Sequence, residues 1–389
     1  MITSGSPGPL AGRLVVDFGM NIAGPYGASV LSDFGATVVK VEPPMGDSGR
    51  GYPPERGGVS VLFASMNHDK RYVALDLRNP GARPVVDALV EQADVLVQNL
   101  RPGAPERLGI DAERCHDINP SLVHCSVEAF YPGDGPRPGY DLMVQAESGL
   151  LSLTGDEASG PCRFPAAILD HVAGLWLALG AMAELAGPRD RAVVRLSMLD
   201  VAMALLNDKA ATFVADGIVP TPMGSGTSTT APHRAYRTAS GHIVVGAAND
   251  GLFRKLVDLL DVEALRADRF ATQAGRLEHR TELDDLVGAA LAGADAEVWL
   301  ARLDASGIPA ALVRELPDAV ARHRDASATG FADLAEGLSI VAPPHVGSGR
   351  VFDPPVPGPP GADTDAVLHD LLGFDEPTIA RLIEEQIVA

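Results

Sequence analysis

The chain has 389 residues, 46% of them hydrophobic, which is enough for two or three packed domains and too apolar for a disordered tail. Its formal charge of -20, from 31 Lys and Arg against 51 Asp and Glu, excludes a broad electropositive face for nucleic acid or a membrane surface. Any anionic ligand must therefore meet a local basic pocket.

The opening stretch MITSGSPGPL has no basic segment followed by an apolar run, so no signal peptide is expected and a cytoplasmic location follows. Over the first 130 residues, β-branched runs alternate with amphipathic ones: LVVDF (14–18), YGASVLSDFG (26–35), TVVKVE (37–42), YVALDL (72–77), PGARPVVDALVEQA (80–93), DVLVQNL (94–100) and SLVHCSV (121–127). That alternation predicts βαβ units around a parallel sheet. Cys115, Cys125 and Cys162 are odd in number and lack paired spacing, so no disulfide framework or metal site is expected. A helix is predicted over 171–186, where Val172, Leu175, Trp176, Leu179 and Met182 recur at helical spacing, and a second over 200–213. Both read as buried packing helices; the apolar stretch 172–186 is too short and too rich in small residues to span a bilayer. MGSGTSTTAPH (223–233) marks a loop, and RAYRTASGHIVVGAAN after it reads as a hairpin turning at 239–241 that opens a second domain. Helical stretches are predicted at 251–260 and 280–305, and beyond the Pro- and Gly-rich 354–363 a last helix at 364–372.

Several common chemistries lack their motifs. GMNIAGPYG after the first strand lacks the G-x-G-x-x-G spacing that admits a pyrophosphate. Neither a G-x-x-x-x-G-K-[ST] loop, an H-E-x-x-H helix nor a G-x-S-x-G elbow is present.

Four segments carry a family likeness: PLAGRLVVDFGMNIAGPYGASVLSDFGATVVKVEPPMGD (9–47), MNHDKRYVALDLRNPGA (66–82), DVLVQNLRPGAPERLGI (94–110) and GYDLMVQAESGLLSLTG (139–155). Together they resemble the family III CoA-transferases, the group of formyl-CoA transferase, carnitine CoA-transferase and α-methylacyl-CoA racemase. The resemblance implies an α/β protein: an open Rossmann-like large domain over 1–224, a smaller inserted α+β domain over 225–320, and a return to the large domain over 321–389. It also implies two chains interlocked as rings in a homodimer, with acyl-CoA and carboxylic acid as substrates and no permanently bound cofactor.

Asp170, in FPAAILDHVAGLWLALG, stands where the resemblance places the family's nucleophile. Local pattern also reads it as an N-cap before an apolar run, where the helix dipole favours the charged carboxylate. The two readings are compatible. For CoA itself the resemblance implies Asn21, Ile22 and Ala23 after the first strand, Asn67, Lys70 and Arg71, Asn99 and Leu100, and Arg107, the cations answering the phosphates.

For the reacting acids it implies Tyr140, Gly224, Gly226 and Asn249. Racemases of the family carry His-Asp where this chain has Tyr140 and Asp141, and Glu where it has Asn249, so transfer is expected over epimerisation. A catalytically silent CoA-binding subunit, the third alternative, would typically lose Asp170. The formyl-CoA transferase branch has four successive glycines where residues 223–230 offer Gly224 and Gly226, and a glutamine where Ile22 stands, which disfavours oxalate and formate. GADTD (361–365) lacks the histidine of the family's C-terminal motif.

Overall fold

Strands covered on both faces need apolar side chains at nearly every position, and the short β-branched runs of this chain meet that need. The computed structural model describes residues 8–135, 137–327, 330–344 and 352–389, so the reading of residues 1–7 as free of a leader lies outside the described residues. The chain divides into two units. The larger holds the described residues up to Leu150, Phe164–Asp208 and those from Ala326 onward; the smaller holds Leu151–Arg163 and Lys209–Asp325. The smaller unit thus starts before the expected 225 and includes a returning segment that no change of composition marks.

In the larger unit the elements that position the site are β1 (Leu14–Asp17), α1 (Ala23–Asp33), β2 (Thr37–Glu42), α2 (Val61–Asn67), β3 (Lys70–Ala74), α3 (Arg83–Gln92), β4 (Val95–Gln98), α4 (Ala104–Leu108), β5 (Val123–Glu128), α5 (Asp141–Glu147), α6 (Ile168–Leu185), β6 (Val193–Ser197) and α7 (Met198–Leu205). The six strands form one sheet in the order β3-β2-β1-β4-β5-β6, with every neighbouring pair parallel. Successive residues face opposite sides: Val15, Val38, Val95 and Val97 join the core beneath α1 and α6, whereas Val16, Val39 and Leu96 join the core beneath α3. In α3, Val85, Val86, Leu89 and Val90 form the buried stripe that covers the second face.

The outer edge of β3 is closed by residues far along the chain, which removes an open pairing edge. Asp363 Oδ2 and Thr364 Oγ1 accept the Tyr72 and Ala74 N–H groups, and Val388 makes an antiparallel bridge with Leu75.

The helix predicted over 171–186 begins at Ile168, with Ala167 at its N-cap, so Asp170 is its third residue and the N-cap reading is corrected. α6 has 18 residues and, contrary to the sequence expectation, is long and apolar enough to cross a membrane by length and composition. Leu169, Ala173, Gly174, Leu177, Ala178 and Ala181 are buried in the larger unit's core, while Leu175, Trp176 and Leu179 are about half exposed.

In the smaller unit, β7 (His233–Thr238) and β8 (Gly241–Gly246) form the expected hairpin, and β9 (Ala310–Leu312) adds an antiparallel third strand. α8 (Asp250–Leu260), α9 (Arg280–Leu291) and α10 (Ala296–Ala305) pack Leu256, Leu283, Val287 and Trp299 against it. Back in the larger unit, α11 (Glu376–Glu384) follows the predicted 364–372, which forms a three-residue turn of α-helix and then a π-helical turn over Val367–Leu371.

Candidate active site

In an open parallel sheet, ligands gather beyond the carboxyl ends of the strands where the strand order reverses. Here the reversal lies between β1 and β4, and the loops that follow them are tied together. Asn99 accepts the Met20 N–H at 2.7 Å through Oδ1 and donates to the Met20 carbonyl at 2.9 Å through Nδ2. Leu100 turns away, its N–H bonded to Gln98 Oε1 and its side chain against the core. Asn21 adopts the left-handed conformation (φ 62°); its N–H lies 3.2 Å from each oxygen of Asp47, and its Oδ1 accepts from the Ser48 hydroxyl at 2.8 Å. Ile22 is the N-cap of α1 without a side-chain cap, and Ala23 is the buried first helical residue.

Beneath this loop lies a chain of buried charges. Asp17, ending β1, accepts the Gly19 N–H at 2.7 Å and the Lys70 ammonium at 2.9 Å. Lys40, from β2, donates to the Gly19 carbonyl at 2.7 Å and pairs with Asp47 at 3.0 Å. The side chains of Asp17, Lys40, Asp47 and Lys70 are inaccessible to solvent, so each charge is held by its partners. Burial pushes the Lys70 ammonium down to about 8, against the pull of Asp17.

Two residues expected against CoA, Asn67 and the cation Lys70, are buried and turned inward. Lys70 also donates to the Pro25 carbonyl and to Asn67 Oδ1, and Asn67 Nδ2 donates to the Phe63 carbonyl, so both buried side chains brace the loop and offer nothing to a phosphate. Arg71, next in β3, is exposed. The signal in the sequence was the presence of Asp17 and Lys40 in otherwise apolar strands, since unpaired charges do not survive there.

Asp170 sits in the first turn of α6, partly buried, and no donor among the described residues reaches its carboxylate. The N-terminal cap expected of Asp170 comes from Asp141 on α5, which accepts the Leu169 N–H at 2.8 Å and the Gln145 amide at 2.5 Å. Burial, with the Asp141 carboxylate as second cause, raises the Asp170 carboxyl to about 7, the reverse of the depression expected from the helix dipole alone. α6 is pressed on α1 through a pair of glycines. A β-carbon on Gly174 would come within 2.8 Å of the Ala23 carbonyl, and one on Gly27 within 2.9 Å of the Gly174 carbonyl. Asp170 lies one turn before Gly174, and Ala23 one turn before Gly27, so this crossing sets the acid's distance from the switch-point loop.

A reaction that needs the Asp170 carboxylate should gain rate as pH rises through about 7. The expected profile of kcat/KM climbs between pH 6 and 8, and in Asp141→Asn its inflection moves to lower pH while burial keeps it above an ordinary carboxyl. An inflection that stays put in Asp141→Asn would remove Asp141 as a cause.

Arg107, on α4, lines a cavity of about 350 Å³ with Arg78 and Arg83, beside Leu77, Asn79 and Pro80. Arg83 donates to the Leu108 carbonyl at 3.2 Å, and Arg78 Nε to Asp76 Oδ1 at 3.1 Å with most of its side chain exposed. Three guanidinium groups around one cavity form the local basic pocket that an anionic chain needs for an anionic ligand. Arg78 and Asn79 lie inside the family-like segment 66–82 and Arg83 just after it, but none was singled out, because their convergence on Arg107 depends on the turn at Pro80–Ala82 and not on spacing.

Tyr140 is the exposed N-cap residue of α5. In the smaller unit, Gly224 donates its N–H to the Gly155 carbonyl at 2.6 Å, Gly226 closes a turn on Met223, and Asn249 caps α8 by accepting the Leu252 N–H. Cys115 and Cys125 are buried, and burial pushes the Cys115 thiol up to about 12.

The model of CoA-transferase family III matches residues 10–350. Similar proteins include the "Probable fatty acyl-CoA transferase Rv3272" of Mycobacterium tuberculosis, 34% identical over 335 residues (80% of this chain, 84% of that protein). The "Acetyl-CoA:oxalate CoA-transferase" of Acetobacter aceti is 32% identical over 321 residues, covering 80% and 82%. Among solved structures, a CAIB/BAIF family protein from Brucella suis superposes with a TM-score of 0.81 at 28% identity, over 94% of this chain and 100% of that one. With the motifs, the sheet order and these matches in agreement, the chain belongs to CoA-transferase family III and is an enzyme that transfers CoA.

Proposed function

We propose that the chain moves CoA from an acyl-CoA donor to a carboxylic acid through covalent intermediates on Asp170, as an interlocked homodimer in the cytoplasm. The observation that carries this reading is the Asp170 carboxyl, without a donor among the described residues, in the first turn of a helix pressed on α1, the helix that follows the switch-point loop. As carboxylate it attacks the thioester carbon; the C–S bond breaks, CoA leaves as thiolate, and a mixed anhydride remains. The thiolate then attacks the aspartyl carbonyl, releasing the donor acid and leaving an aspartyl-CoA thioester. The acceptor carboxylate displaces CoA from that thioester to form a second anhydride, and the thiolate takes the acceptor's acyl group, regenerating Asp170. The pocket of Arg78, Arg83 and Arg107 takes the CoA phosphates, and Asn21 to Ala23 with Asn99 form its bed along the switch point, which Leu100 backs from the core side. Gly224, Gly226, Asn249 and Tyr140 keep the acid-facing roles implied by the resemblance. Several relatives are named for dicarboxylates, among them glutarate, D-citramalate and mesaconate, so short dicarboxylic acids are the first acceptors to try. Mass analysis of the enzyme mixed with acyl-CoA tests the reading: an adduct removed by hydroxylamine is expected on the peptide containing Asp170, and its absence during turnover would sink the proposal.

A carboxyl near 7 also suits proton transfer, which favours epimerisation as a second reading. Epimerisation needs a second acid or base on the opposite face of the substrate. Tyr140 and the Asn249 amide do not provide a suitable one. In deuterated water, an α-methylacyl-CoA is expected to remain undeuterated at its α-carbon; rapid exchange without change of CoA partner would favour the racemase.

The half-exposed Leu175, Trp176 and Leu179 on α6, with Met203 and Leu205 on α7, support the dimer, since large apolar faces on a lone chain mark a contact. Light scattering is expected to show two chains per particle at micromolar protein, with unfolding that depends on concentration. A folded, active monomer would contradict the assembly.

A further inference from the structure

Residues 386–389 and the arginine pocket lie on two sides of one turn. The Ile387 carbonyl accepts the Asp76 N–H at 2.9 Å, and Thr364 Oγ1 holds the Ala389 carbonyl at 2.7 Å. Asp76 in turn orients the pocket's lining. Its carboxylate accepts both the N–H and the Nε–H of Arg78 at 3.1 Å, and its carbonyl accepts the Asn79 N–H at 2.9 Å. Past Asn79 the chain turns through Pro80–Ala82, and there Gly81 rests on Ile387. A β-carbon on Gly81 would stand 2.4 Å from Ile387 Cδ1 and 3.3 Å from its Cγ1. Gly81 has no left-handed φ, so the backbone itself admits alanine and the Ile387 side chain is the main obstacle. Ile387 is 1% exposed within the core beneath α3, which leaves its methyl little room to swing aside.

We propose that Ile387 is a positioning residue for CoA recognition: through Gly81 and Asp76 it sets the turn that presents Arg78 and Asn79 to the ligand's phosphates. The proposal rests on the reading of the Arg78, Arg83 and Arg107 cavity as the phosphate site. Neither Gly81 nor Ile387 touches Asp170, so the chemical step should be spared.

The test is a mutant cycle on the full chain, read by calorimetric binding of adenosine 3′,5′-bisphosphate and by transfer kinetics. Gly81→Ala is expected to weaken bisphosphate binding about 10-fold and raise KM for acyl-CoA similarly with kcat kept, and adding Ile387→Val, which removes the opposing Cδ1, restores both to within about 2-fold. Ile387→Ala, which empties the contact without a clash, is expected to weaken binding in the same direction should Gly81→Ala fail to fold. Bisphosphate affinity that is unchanged in both single variants, with only the melting temperature lowered, would reduce Ile387 to core packing and overturn the proposal. Failure of the pocket reading has a different signature: Arg78→Ala with Arg107→Ala would leave bisphosphate affinity intact, and the proposal would fall with it.

Discussion

Asp170→Asn is expected to lower CoA transfer by about 10⁴-fold or more while leaving CoA affinity and the melting temperature close to wild type. The amide matches the carboxylate in shape but cannot attack a thioester. Stability should be spared because Asp170 does not cap its helix: Asp141 does that, and no donor among the described residues loses a partner. A neutral side chain beside Asp141 also relieves the repulsion between the two carboxylates. The measurement is transfer of CoA from succinyl-CoA or acetyl-CoA to a panel of acids, read by mass. Turnover near the wild-type rate would rule out the aspartyl mechanism. Loss of turnover together with loss of folding would instead make Asp170 a structural residue, and thermal unfolding separates the two.

Arg78→Ala combined with Arg107→Ala is expected to raise KM for acyl-CoA about 100-fold with kcat largely retained, since the phosphates lie far from the reacting carbonyl in CoA itself and contribute uniform binding. Wild-type KM should rise with salt, and the double variant should lose much of that dependence because its phosphate contacts are gone. An unchanged KM would place the phosphates elsewhere on the chain. A fall in kcat alone would mean that the arginines act on the transition state.

The parallel sheet was legible because runs such as LVVDF and TVVKVE are apolar on both faces, and their loops led to Asn21 and Asn99. The same runs carried a less obvious message: Asp17 and Lys40 are ionic residues inside a sheet, and reading them as a buried support would have assigned Lys70 to that support too. The start of α6 was misplaced because its cap is not local. Asp141 lies 28 residues upstream of Leu169, and no spacing rule connects them. β6 went unnoticed because it lies at the sheet's edge, half exposed and interrupted by Arg195. The arginine pocket was only partly legible, since Arg78 and Arg83 converge with Arg107 through the turn at Pro80 and the path of α3. The closure of the β3 edge by Asp363, Thr364 and residues 387–389 has no local signature at all, being a matter of one bridge and a few hydrogen bonds.

The glycine crossing of α1 and α6 behaves as a pivot. With backbone against backbone at Gly27 and Gly174, the two helices cannot draw closer, and tilting about that point is the motion left to α6. Asp170 lies four residues from the pivot, a lever arm of about 6 Å, whereas Leu185 lies eleven residues away on the other side, about 16 Å. Displacement at the far end of α6 therefore reaches Asp170 reduced by a factor of about 2.7 and reversed in direction. Trp176 and Leu179 lie only about 3 Å and about 7.5 Å past the pivot. A tilt imposed by whatever packs over them reaches the acid at about twice and about 0.8 times its size, which couples the exposed middle of the helix to its reactive end while the far end is geared down.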